Sequence, residues 1–147
     1  LSRIKAAGLA CKVVETAQPL LQKLNATRGA SSIPSGYSDW AQINKFLVET
    51  AAAFPSIAKV VDMTEYPPGV TYEGRALPMI KISDHVNDEE DEHQVLVISA
   101  HHSREIVTPH IAMEMITMLT TEYQSNRAIR DIVDNNEIFI SPVWNPD

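Results

Sequence analysis

The chain has 147 residues, 12 basic against 19 acidic side chains, a net charge of −7, 44% hydrophobic residues and one cysteine. That length suits one domain with a real core, burying roughly 68–70% of its unfolded surface, and the apolar content excludes a disordered chain. The acidic balance excludes a nucleic-acid binder, which needs a basic face. No apolar run reaches the roughly 18 residues of a membrane span, and Cys11 alone makes no internal disulfide.

The chain opens on Leu1 rather than Met, shows no signal-peptide pattern, and stops at Asp147 with no closing element, which reads as a piece of a larger protein. Residues 4–24 mix Val13, Val14, Leu20, Leu21 and Leu24 with charges and suit a short strand followed by a helical turn. Residues 25–36 are small, polar and punctuated by Gly and Pro, as in a linker or loop. Asn25-Ala-Thr27 fits the N-glycosylation acceptor pattern, which matters only in a secreted eukaryotic protein.

Ser38 then stands as N-cap of an amphipathic helix carrying Trp40, Ile43, Leu47 and Ala51 and ending before Pro55. A short strand over 59–63, a turn at Pro67-Pro-Gly69 and a second strand over 76–82 follow, and the acidic run 88–92 reads as an exposed loop. Residues 95–100, nearly all apolar and rich in β-branched side chains, suit a strand buried on both faces. Thr108 as N-cap and Pro109 in the first turn open a helix with an apolar stripe of Ile111, Met115, Met118 and Leu119. A short helix near 127–133 leads into an apolar strand over 138–143. The alternation of strands and helices predicts an α/β layered sheet.

The chemically informative stretch is Ala100-His-His-Ser-Arg-Glu-Ile-Val-Thr108, between the apolar strand and the helix start. Ligands collect at the carboxyl ends of strands in open α/β sheets. A three-residue spacing in such a turn puts the His102 imidazole and the Glu105 carboxylate on one side, within reach of one metal ion. A catalytic zinc typically uses three protein groups and a water, so a third ligand has to come from elsewhere. The same spacing also fits a solvated loop or a plain His–Glu hydrogen bond. His101 is a competing ligand or a buried neighbour, and His110 with Glu114 reads as a surface pair. The carboxylates of residues 84–92 are either a solvated charge run or a calcium loop, since calcium takes six to eight oxygens.

Residues 100–108 resemble the zinc-binding segment of metallocarboxypeptidases of the carboxypeptidase A type, which carry His-(Ser/Ala)-Arg-Glu followed by a helix. Further features match in the same order. Gly36-Tyr37 begins a helix carrying Trp40, and Tyr72-Glu-Gly-Arg75 precedes the strand with Ile80-Lys81-Ile82-Ser83. Asp134-Asn-Asn-Glu-Ile138 leads into Pro142-Val-Trp-Asn-Pro-Asp147.

The resemblance implies a three-layer α/β/α domain around a mixed, mostly buried sheet, with residues 35–147 forming only its N-terminal half. It implies a zinc-dependent exopeptidase that releases C-terminal amino acids from peptides and proteins, with His102 and Glu105 as two of three zinc ligands. Arg104 matches the family Arg that contacts the bound peptide near the scissile bond; its alternative is an ion pair with the acidic loop. His101 falls outside the ligand position. No catalytic residue lies within this segment, because the third ligand, the general-base Glu, the carboxylate-binding Arg and Asn, and a Tyr all follow Asn-Pro-Asp in the family. The chain alone is therefore expected neither to hydrolyse peptides nor to hold zinc tightly. Residues 1–34 match a propeptide tail or a linker-like N-terminal extension, with Arg28-Gly29 as an activation cut and secretion as the implied destination. Some bacterial relatives bind calcium near the region of the acidic loop. Two other functions fit the same residues: a catalytically inactive binding protein of this fold, and a zinc amidohydrolase acting on acylated amino acids.

Overall fold

The computed structural model describes residues 36–63 and 70–147. All of them lie in the unit Ser35–Asp147. The strand, linker, glycosylation and activation-cut readings for residues 1–34 and the turn at Pro67 lie outside the described residues.

In chain order the elements are α1 (Trp40–Ala53), β1 (Ala58–Asp62), β2 (Pro78–Ile82), β3 (His93–Ile98), α2 (Thr108–Thr121), α3 (Arg127–Val133) and β4 (Asn136–Ser141). Helix α1 begins with a capping box one residue later than the sequence suggests. Asp39 Oδ1 accepts from the Gln42 amide at 2.8 Å, and Gln42 Oε1 accepts from the Asp39 amide at 2.8 Å. Two of the free amides at the helix start are thereby satisfied at once, which Ser38 could not do from its position. Ile43, Leu47 and Thr50 form the buried face of α1.

Strand order is β1-β2-β4-β3. β1 pairs antiparallel with β2 and β2 antiparallel with β4, while β3 pairs parallel with β4, Val95 opposite Ile138 and Val97 opposite Ile140. The sheet is mixed and the architecture α/β, as expected. Side-chain alternation divides its two faces. Ala58, Ile80, Ile82, Ile138 and Ile140 point to the face that packs with Leu47, Ala112, Ile116, Leu119, Ile129 and Val133 of the helices. Each buried aliphatic side chain there contributes on the order of 1.5–3 kcal/mol.

Helix α2 buries only part of the stripe its apolar residues suggest: Leu119 is in the core and Met115 packs against it, but Ile111 and Met118 do not. Pro109, Ala112, Ile116, Leu119 and Thr120 are buried, whereas Ile111 is 62% and Met118 41% exposed. The segment is apolar almost all round, so its period is readable but its phase is not.

Among the described residues β3 pairs with β4 only, and nothing there covers its far side, so Val95, Leu96 and Ile98 are exposed rather than buried on both faces. β2 and β4 are each flanked by two described strands.

On the second face of the sheet Lys81 and Glu137 form a buried ion pair, the lysine also donating to the carbonyl of Asp88 at 2.6 Å. Gln94 Nε2 donates to the other Glu137 oxygen at 2.8 Å. The bond from Lys81 holds the Glu137 carboxyl below its ordinary value of 4.5. The acidic loop is thus fastened to the sheet through Lys81.

Candidate metal centre

β3 ends at Ile98, and its ladder to β4 runs one step further, Ser99 N donating to Ser141 O at 3.0 Å. Ala100 then takes a left-handed backbone, φ 48°. For a residue with a Cβ this costs about 1 kcal/mol or more, and it turns the chain out of the sheet plane toward α2. Residues 101–107 form a loop of short turns, Glu105 N donating to His102 O and Thr108 N to Glu105 O, both at 3.0 Å.

His102 and Glu105 come together in this loop. His102 Nδ1 stands 2.9 Å from Glu105 Oε1, and Glu105 Oε2 accepts from the His102 amide at 3.2 Å. The hydrogen bond from the His102 side chain is the main reason that the Glu105 carboxyl lies below its ordinary value of 4.5, so Glu105 is an anion at neutral pH. The imidazole and carboxylate are 69% and 37% exposed. A tetrahedral ion with bonds near 2.0–2.1 Å spaces its ligand atoms about 3.3 Å apart. The two donor atoms therefore need to part by only a few tenths of an ångström to share one ion, and their chemistry, one imidazole nitrogen and one carboxylate oxygen, suits zinc. The pair fits the metal that the sequence implies. Among the described residues no third His, Cys, Asp or Glu joins it.

The neighbouring candidates fall out as follows. Arg104 is exposed in the same loop and forms no ion pair among the described residues, with the acidic loop or otherwise. The His101 ring stands edge-on to that of His102, centroids 6.2 Å apart. His110 does not pair with Glu114. Its Nε2 accepts from the Ser38 amide at 2.9 Å, and the Tyr37 ring packs edge-on against it.

Several residues that shape the site are not visible in its motif. Thr108 is not the helix N-cap. Val107 holds that position with no side-chain cap bond, and Thr108 Oγ1 instead accepts from Ala100 N and donates to Glu105 O, both at 2.9 Å. Asn145 Nδ2 donates to His101 O at 3.2 Å. Asp147 accepts from Arg75 Nη1 at 2.7 Å, Thr71 Oγ1 at 3.0 Å and Glu73 N at 3.0 Å. Those bonds, the one from the Glu73 amide foremost, hold the Asp147 carboxyl below its ordinary value of 3.8. The matched segments Tyr72-Glu-Gly-Arg75 and Asn145-Pro-Asp147 are the only signal in the sequence that these distant positions belong together.

A second cluster lies in the acidic loop, where Asp84, His85 and Glu90 place one ligand atom each within 4.8 Å of one another. His85 Nδ1 stands 3.2 Å from Asp84 Oδ2 and 3.1 Å from Glu90 Oε1. Calcium finds no support here. An imidazole occupies the space between the carboxylates, where a hard cation needs a shell of oxygens.

A family model described as zinc carboxypeptidase matches residues 43–147. A zinc carboxypeptidase of Saccharothrix mutabilis subsp. capreolus is 32% identical over 122 residues, which cover 81% of this chain and 27% of the relative. An inactive metallocarboxypeptidase of Talaromyces stipitatus is 25% identical over 114 residues, 76% of this chain and 18% of the relative. The crystal structure of carboxypeptidase A from Helicoverpa armigera superposes with a TM-score of 0.63 at 24% identity, covering 99% of this chain and 36% of that one. The chain thus spans about a fifth to a quarter of the length of these two curated relatives.

Proposed function

The chain belongs to the zinc carboxypeptidase family, and from that premise we propose that it is part of a zinc-dependent exopeptidase that removes single residues from the C-termini of peptides and proteins. The observation that carries this reading is the approach of His102 Nδ1 and Glu105 Oε1 to 2.9 Å at the carboxyl end of β3. Two of the ligands would come from this loop, the third from outside the described residues.

Zinc bound there supplies a Lewis acid for the scissile carbonyl and a water of lowered pKa. The residues of this chain do the holding. Glu105 would bring the anionic oxygen that the metal needs, its pKa held below the ordinary 4.5 by His102, and the proton now shared between His102 Nδ1 and Glu105 Oε1 would leave as the ion binds. Arg104, unpaired by any carboxylate among the described residues, offers a planar guanidinium to a peptide carbonyl or carboxylate of the substrate. The general base and the clamp for the terminal carboxylate lie outside the described residues in this reading.

Residues 1–34 are assigned to a propeptide tail or linker-like extension, residues 35–147 to the first half of the catalytic domain, and the whole protein to secretion as a zymogen. Among the described residues, no helix is long and apolar enough to cross a membrane.

The test uses the full-length protein. Wild type should release C-terminal amino acids from peptides, lose this activity on treatment with a zinc chelator, and regain it with added zinc. Glu105→Gln should abolish both tight zinc binding and hydrolysis. The inactive relative favours a second reading, a non-catalytic binding protein of the same fold. Stoichiometric zinc with no product from any peptide would decide for it, and product only from acylated amino acids would mark an amidohydrolase instead.

A further inference from the structure

Thr108 is the first residue of α2, next to the N-cap Val107, and its hydroxyl does not cap the helix. It accepts from the Ala100 amide at 2.9 Å and donates to the Glu105 carbonyl at 2.9 Å. The Thr108 amide donates to the same carbonyl at 3.0 Å. One side chain therefore closes the loop at both ends. It ties the residue at which the chain leaves β3 to the residue that carries the carboxylate.

Both ends need such a tie. Ala100 holds a left-handed backbone that a residue with a Cβ abandons unless its surroundings enforce it. The peptide of Glu105 sets the direction of its own Cα–Cβ bond, and two donors on one carbonyl fix that peptide in place. A third constraint comes from across the sheet, where Asn145 donates from Nδ2 to His101 O at 3.2 Å and from its amide to Ala100 O at 3.3 Å. His102 and Glu105 lie between these fastenings.

We infer that Thr108 is a positioning residue of the metal loop: its hydroxyl, bridging Ala100 N and Glu105 O, holds His102 and Glu105 in the arrangement that one ion requires. The inference rests on the reading of those two side chains as metal ligands. Thr108 touches neither ion nor substrate and acts through the backbone. A ligand pair set in advance loses less conformational entropy on binding, and groups that orient metal ligands in this way are typically worth about 10- to 100-fold in metal affinity.

Four forms of the full-length protein test it: wild type, Thr108→Val, Thr108→Ser and Glu105→Gln. Zinc dissociation constants are measured by competition with a chromophoric chelator, the cobalt-substituted proteins are compared by their visible spectra, and thermal midpoints are recorded. Thr108→Val, which keeps the shape and loses both bonds, should bind zinc about 10- to 100-fold more weakly with an altered cobalt spectrum and a folded midpoint. Thr108→Ser should return close to wild type in both. If Thr108→Val matches wild type while Glu105→Gln loses the metal, the positioning role is wrong and the ligand assignment stands. If Glu105→Gln binds zinc like wild type, the ligand assignment itself falls. A Thr108→Val protein that does not fold, or a loss of affinity that serine fails to restore, also overturns the inference, because the side chain would then serve the fold or its methyl the packing.

Discussion

The molecule carries two clusters of imidazole and carboxylate, at opposite ends of one strand. Among the described residues, Asp84, His85 and Glu90 lie in the loop before β3, and His102 with Glu105 in the loop after it. By number of ligand atoms the first is the richer. Its histidine is nevertheless committed, with a carboxylate on either side at 3.2 and 3.1 Å. Asp84 first, and then Glu90, raise the His85 pKa above its ordinary 6.5, and Glu92 beside them is raised by burial and then by the charges of Glu90 and Asp84. The second cluster has one carboxylate for its histidine, stands open to solvent and sits at the carboxyl end of a parallel strand pair, where ligands collect. Both histidines contact carboxylates, so ligand density is a weak guide here, and position at the carboxyl end of the strand is what separates the sites.

The largest effect that would break this contrast is on metal affinity. Glu105→Gln in the full-length protein should weaken zinc binding by more than about 100-fold, since losing a ligand exceeds losing its outer partner. His85→Gln should leave the zinc dissociation constant unchanged; equilibrium dialysis of the two variants reverses the assignment if the losses are exchanged.

Next comes stability. Glu137→Leu leaves Lys81 buried without its counter-charge and should cost about 3 kcal/mol in urea unfolding, most of it recovered when Lys81→Met is added. Because Lys81 also binds the Asp88 carbonyl, hydrogen exchange should quicken in the acidic loop and stay unchanged over residues 101–107. The Glu137 carboxyl is lower in the folded state than in the unfolded one. Its contribution is therefore present above its unfolded value of 4.5 and is lost as pH falls through the lower folded value, which places it in the acid limb of the stability curve.

The smallest effect is a slope. His85 has its folded pKa raised, so whatever it adds is complete below about pH 6.5 and fades as pH rises through the raised value. The difference in unfolding midpoint between wild type and His85→Gln should shrink over that interval, and a difference that grows with pH would contradict the pairing with Asp84 and Glu90.

Much of this arrangement was legible in local sequence. Helix α3 falls on residues 127–133 as read, and α1 misses only its cap, Ser38 for Asp39, because two adjacent capping residues compete and only geometry shows which one reaches Gln42. The loop with His102 and Glu105 was readable because its chemistry lies three residues apart. Its supports were not, since the hydroxyl of Thr108 serves a helix start or a loop equally well until the fold places Ala100 beside it.

The order of strands and helices, the acidic character and the imidazole–carboxylate spacing belong to the sequence by itself, because each depends on neighbours within a turn or a strand. Tertiary structure alone decided that Pro109 and Ala112 rather than Ile111 begin the buried side of α2, that His110 receives the Ser38 amide, and that Lys81 finds Glu137 in the interior. Each of these depends on which distant segment comes alongside. A charge or an apolar side chain has no fixed energy until its partner and its exposure to water are settled.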